Sequence, residues 1–124
     1  MKVARGGVVF LVDDDEGLRA AMERLVSVAG FECASFASAE DFLARQPGVP
    51  GACVVSDLML PGISGLELLD ELKARGGAAP LILITAHDSP GLHDEALRRG
   101  AVAYLTKPFR GTELLETIDT VIGH

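Results

Sequence analysis

A chain of 124 residues, 48% of them apolar, has room for one compact domain with a single continuous core and needs neither disulfides nor structural metal to complete it. With 11 basic residues against 18 acidic ones the net charge is −7, which argues against direct binding to nucleic acid and favours basic or apolar partner surfaces. No apolar run reaches membrane-spanning length and no apolar stretch of leader type follows Lys2 and Arg5, so the expectation is a domain of the reducing cytoplasm with no membrane association.

The chain reads as five strand–helix units. Val8 to Val12 is an unbroken apolar segment followed by Asp13, Asp14 and Asp15; Leu18, Met22, Leu25 and Ala29 then fall on one helical stripe that Gly30 ends. Cys33 to Phe36 predicts the second strand, and the capping-box spacing of Ser38 and Asp41 opens the second helix. Ala52 to Val55 predicts the third strand, with Asp57 at its end. Ser64 and Glu67 again have capping-box spacing, and Gly76 and Gly77 stop the helix they begin. Leu81 to Thr85 predicts the fourth strand, and Ser89 followed by Pro90 reads as the N-cap and first residue of a helix stopped by Gly100. Val102 to Leu105 predicts the fifth strand, with Lys107 just beyond it, and Leu114, Ile118, Val121 and Ile122 mark the apolar face of the last helix. Cys33 and Cys53 lie in apolar surroundings without metal-ligand or redox spacing and are expected to be buried free thiols.

Strands apolar on both faces suit a parallel sheet covered by helices on each side, so the expected fold is a three-layer α/β/α sandwich. In such sheets ligands bind beyond the carboxyl ends of the strands, where strand order reverses. Asp13, Asp14 and Asp57 converge there, and carboxylates gathered so closely ask for a cation; Mg2+, a hard ion that favours oxygen ligands and phosphate, is the natural candidate. Asp14 and Asp15 taken alone read as caps of the first helix. Thr85 alone reads as a β-branched strand residue and Lys107 as an exposed loop lysine. Together at one rim, however, they supply a hydroxyl donor and a point charge suited to phosphoryl transfer.

With these residues in place the chain resembles the response-regulator receiver family, of the CheY-like superfamily, from Val8 to about Ile122, as one domain over residues 1–124. The resemblance rests on Leu11-Val12-Asp13-Asp14-Asp15, on Ser56-Asp57-Leu58-Met59-Leu60-Pro61-Gly62-Ile63-Ser64-Gly65, on Ile84-Thr85-Ala86, and on Gly100 to Phe109 with its Tyr104 and Lys107-Pro108. It implies a flavodoxin-like, doubly wound parallel sheet of five strands in the order 2-1-3-4-5. It further implies that Asp57 accepts a phosphoryl group from a sensor histidine kinase or histidine phosphotransfer protein. Asp14, Asp57 and the Met59 backbone carbonyl would bind Mg2+ directly and Asp13 through water, while Thr85 and Lys107 would contact the phosphoryl group. Thr85 and Tyr104 would form the switch, and the Lys107-Pro108 bond is expected to be cis. Output would leave through the fourth helix, fifth strand and fifth helix, with homodimerisation on phosphorylation as one form of it. The domain would promote its own phosphorylation and slowly hydrolyse its aspartyl phosphate, without being an enzyme toward diffusible substrates.

Two departures from the common pattern stand out. Leu60 replaces the methionine that often precedes the proline, and Gly100 to Tyr104 lacks the paired aspartates of receivers attached to winged-helix domains, so the chain looks more like the FixJ type. Met59 and His87, two residues after Asp57 and Thr85 respectively, are candidates for setting the lifetime of the phosphate, Met59 by shielding it and His87 by orienting water; an exposed loop histidine is the plain alternative for His87. A phosphohydrolase of the haloacid-dehalogenase type would want a second Asp where Met59 stands. The intact acidic set argues against a phosphate-independent binding module, and no dinucleotide, P-loop or hydrolase-elbow motif is present.

Overall fold

The computed structural model describes residues 7–45, 52–76 and 79–122. Five strands, β1 (Val8–Val12), β2 (Glu32–Phe36), β3 (Ala52–Asp57), β4 (Leu81–Thr85) and β5 (Ala103–Thr106), alternate with five helices, α1 (Glu16–Val28), α2 (Ala39–Arg45), α3 (Gly65–Ala74), α4 (Leu92–Arg98) and α5 (Gly111–Ile122). All strand pairs are parallel and the order is β2-β1-β3-β4-β5, the doubly wound arrangement expected.

Alternate strand residues feed the two apolar layers. Phe10, Val12, Val54, Leu81 and Leu83 pack with Phe42, Leu68, Leu72 and Ala96 of α2, α3 and α4. Val9, Leu11, Cys53, Val55, Ile82 and Ile84 pack with Met22, Val26, Leu114 and Ile118 of α1 and α5. β3 and β4 are therefore buried at every position, as parallel strands under two helical layers must be. No helix among the described residues is long and apolar enough to cross a membrane.

The local signals hold at most ends. Asp15 caps α1, its carboxylate accepting from the Leu18 N–H at 3.0 Å. Ser64 and Glu67 form the full reciprocal capping box of α3, whereas at α2 the Ser38 hydroxyl oxygen accepts from the Asp41 N–H at 3.1 Å. Gly30, Gly76 and Gly100 follow their helices with positive φ; Gly77 lies outside the described residues.

Three expectations change. α4 does not start at Ser89-Pro90: those residues form a turn in which the Ser89 carbonyl accepts from the Leu92 N–H at 3.1 Å, and the N-cap is Gly91 at φ 82° with no side-chain cap. The first turn after a proline is cheap to start, but Gly91 takes up the left-handed bend from which α4 runs back over β5. β5 begins one residue late, because Val102 stands outside the sheet, exposed, and enters only by donating its N–H to the Leu81 carbonyl. Cys53 is buried, but Cys33 is only half-buried because β2 is an edge strand; burial still pushes both thiols up to about 12, leaving them unreactive at neutral pH.

Candidate functional site

Register builds the site. β1 and β3 pair Val12 with Ser56, so the next residues, Asp13 and Asp57, stand side by side at the strand ends; β3 and β4 pair Asp57 with Ile84, which sets Thr85 one step beyond. β4 and β5 pair Thr85 with Thr106, and the Lys107 N–H then donates to the Thr85 carbonyl at 2.7 Å. Four strand ends thus bring residues 13, 57, 85 and 107 to one rim.

Asp13 is wholly buried and Asp57 nearly so, yet both are carboxylates. Lys107 Nζ reconciles them, lying 3.3 Å from Asp13 Oδ2 and 3.2 Å from Asp57 Oδ2. Partial burial works against the charge on Lys107, but the two carboxylates outweigh it and hold its pKa above the ordinary lysine value. Burial raises the Asp13 pKa, and the Asp57 charge adds to that, while the Asp15 N–H, donating at 2.8 Å, and Lys107 counter it. Asp57 Oδ1 accepts from the Met59 N–H at 3.2 Å, which fixes the rotation of the carboxylate.

Asp14 stays exposed at the mouth, and one oxygen each from Asp13, Asp14 and Asp57 lie within 4.8 Å of one another. Three hard oxygen donors of that spacing, with one side open to solvent, suit a divalent cation such as Mg2+. Among the described residues no buried side-chain polar atom lacks a hydrogen-bond partner.

The remaining expected residues divide. Thr85 is buried and its Oγ1 accepts from the His87 N–H at 3.0 Å, so His87 is tied to the site through its backbone while its side chain is exposed. The Met59 side chain points outward, 59% exposed, beside the mouth of the cluster. Tyr104 is half-buried and faces the loop after β4: its hydroxyl donates to Asp88 at 2.8 Å and its ring stacks on His93 at 5.1 Å. Burial and Asp88 push its phenol up to about 12. The Lys107-Pro108 bond is cis.

Sequence reasoning missed the supports. Arg19 of α1 donates from Nη1 to the Asp13 carbonyl at 2.7 Å, and Glu40 of α2 reaches the loop after Asp57. Asp88 and His93 hold Tyr104. None of these carries a spacing signal, because each partner lies on a different element.

Residues 9–119 match the response regulator receiver domain family. The chain is 38% identical over 116 residues to the transcriptional regulatory protein FixJ of Bradyrhizobium diazoefficiens, a match covering 94% of this chain and 57% of that protein. It is 35% identical over 118 residues to the DNA-binding transcriptional regulator NtrC of Salmonella typhimurium, covering 95% and 25% respectively. The match therefore spans only about half or less of the length of these relatives. Among solved structures it resembles FixJ-N, with a TM-score of 0.88 at 36% identity over 97% of this chain and 96% of that one. A second is the BeF3-activated receiver domain of DrrB, with a TM-score of 0.85 at 27% identity over 95% and 98%.

Proposed function

The chain belongs to the response regulator receiver family of two-component systems, and on that premise we propose that Asp57 is the phosphoryl acceptor of a switch charged by a histidine kinase or a histidine phosphotransfer protein. The observation that carries the reading is the buried Asp57 carboxylate with Lys107 Nζ at 3.2 Å and a second carboxylate, Asp13, sharing that lysine.

A carboxylate oxygen of Asp57 attacks phosphorus of the donor phosphohistidine; the new P–O bond forms as the P–N bond breaks, and the imidazole leaves with the electron pair. Lys107 meets the charge on the phosphoryl oxygens as a point charge, and the Thr85 hydroxyl donates to one of them. The Met59 N–H keeps the carboxylate oriented. Asp14, Asp57 and the Met59 carbonyl are the residues that would hold Mg2+, with Asp13 behind them through water; bound there, the ion would offset charge between the attacking and phosphoryl oxygens. Catalysis is mostly positioning, so the domain turns over no diffusible substrate and only slowly hydrolyses its own aspartyl phosphate, at a rate set by Met59 and His87.

Readout follows from Thr85 and Tyr104. When Thr85 moves toward the phosphate, Tyr104 gives up Asp88 and turns inward, changing the face made by α4, β5 and α5. That face then engages a second copy or an output segment of the kind that makes FixJ and NtrC transcriptional regulators, without the domain itself contacting nucleic acid. Free thiols and the kinase partner both suit the cytoplasm.

The test is to incubate the protein with Mg2+ and a small acyl phosphate donor and to compare intact mass and oligomeric state for wild type and Asp57→Ala. Wild type is expected to gain one phosphoryl group and Asp57→Ala none; a wild type that gains no mass overturns the reading.

A further inference from the structure

The loop from Leu58 to Ser64 follows the acceptor directly and carries the Met59 backbone. Its two ends are closed by the sheet and by itself: the Leu58 N–H donates to the Ile84 carbonyl at 2.8 Å, and the Gly65 N–H to the Leu58 carbonyl at 2.9 Å. Leu58 and Leu60 are buried beneath it. A side chain at Gly65 is impossible without rearrangement, since a Cβ there would lie 2.5 Å from the Asp57 carbonyl oxygen, so this end of the loop is pressed onto the acceptor strand.

The outer arc of the loop has one tie to the rest of the fold among the contacts described. Glu40 Oε2, in the first turn of α2, accepts a hydrogen bond from the Ile63 N–H at 3.1 Å, although the two residues are 23 positions apart. The carboxylate lies directly over Gly62: a Cβ built at that residue, whose φ is +76°, would stand 2.1 Å from Glu40 Oε2. Glu40 is exposed, and in a first helical turn its carboxylate has the positive end of the helix as its nearest favourable partner. Here it crosses to another element and occupies the space a side chain at position 62 would take.

We propose that Glu40 is a positioning residue for the metal and phosphoryl site, a latch from α2 that holds the Met59–Ile63 backbone in the conformation that turns the Met59 carbonyl toward the cation site and the Met59 N–H toward Asp57. The inference rests on the phosphoacceptor reading of Asp57 and deepens it. Glu40 touches neither the ion nor the phosphate and acts through the backbone alone. Its acceptor oxygen matters and its charge does not, because Asp13, Asp14 and Asp57 are the carboxylates gathered where a cation would sit.

The test compares wild type, Glu40→Ala and Glu40→Gln by calorimetric titration with MgCl2, by phosphoryl gain from a small acyl phosphate donor, and by amide hydrogen exchange at Ile63. Glu40→Ala is expected to bind Mg2+ about tenfold more weakly, the lower end for loss of an outer support of a metal site, and to exchange the Ile63 amide faster without a matching fall in melting temperature. Glu40→Gln keeps an acceptor oxygen and is expected to stay within about twofold of wild type. Equal Mg2+ affinity in wild type and Glu40→Ala overturns the inference while leaving the function intact. So does a loss in Glu40→Gln as large as in Glu40→Ala, which would assign the effect to charge. A wild type that neither binds Mg2+ nor gains phosphoryl mass removes the phosphoacceptor reading itself, and the latch with it.

Discussion

The carboxyl ends of β1, β3 and β4 and the edge formed by β5 and α4 belong to one sheet, but the fold holds them very differently. At the first, Asp13 and Thr85 are wholly buried and Asp57 almost so, between strands covered on both faces. At the second, β5 is an edge strand with no fully buried position, and α4 has seven residues and a glycine N-cap without a side-chain bond. The far end of α4 is pinned by ion pairs, where Asp70 and Glu95 pair with Arg99 and Lys73 donates to the Arg99 carbonyl at 2.9 Å. On the phosphoacceptor reading, the groups that would meet a phosphoryl group stand on the densely packed part, and Tyr104, which would turn, stands on the part held by few contacts. The near end of α4 is tied through Tyr104, by a hydrogen bond to Asp88 and a ring stack on His93, which are contacts weak enough to exchange.

The largest expected effect tests that contrast directly. Leu83→Ala, in the buried β4, should cost about 2–5 kcal/mol in urea unfolding. Leu97→Ala, 41% exposed on α4, should stay within about 0.5–1 kcal/mol. Similar costs at both positions would dissolve the distinction between a rigid and a loosely held region.

A smaller effect concerns what the rigid rim gives up for its chemistry. Asp13 is buried beside Asp57 and is only partly compensated by Lys107, so Asp13→Asn should raise the melting temperature of the metal-free protein by a few degrees while weakening Mg2+ binding. A melting temperature that falls would mean that the Lys107 pairing outweighs the cost of burial.

Smallest are the effects at Tyr104, the chain's one tyrosine. Tyr104→Phe removes an exposed hydrogen bond and should cost at most about 1 kcal/mol, read by the same urea unfolding. In an ultraviolet titration its phenol should ionise near 12, and Asp88→Asn should bring that back toward the ordinary value of 10. Because the folded value is the raised one, the associated stability is complete below about pH 10 and is lost as pH rises toward 12. A titration unchanged by Asp88→Asn would mean that burial and not the Asp88 charge raises the phenol.

The candidate site was legible wherever one of its residues stands at a strand end. Asp57 closes β3, Thr85 closes β4 and Lys107 follows β5, so each stands at or within two residues of the end of an apolar run. Gly91 was not legible as the cap of α4, because Ser89-Pro90 offers a stronger local signal and the actual start depends on how the helix must turn to lie on β5. Arg19, Glu40, Asp88 and His93 were invisible for a related reason, since nothing in a stretch of sequence marks a hydrogen bond or stack whose partner sits on another element.

By itself the sequence determined the five strand–helix units, the parallel sheet and the residues gathered at its rim, because apolar periodicity and capping are local properties of the chain. Only the tertiary structure decided how those residues share charge and who supports them: Lys107 between two carboxylates, Glu40 over Gly62, Tyr104 turned to Asp88. Each depends on register and distance between elements far apart in the chain, which packing alone sets.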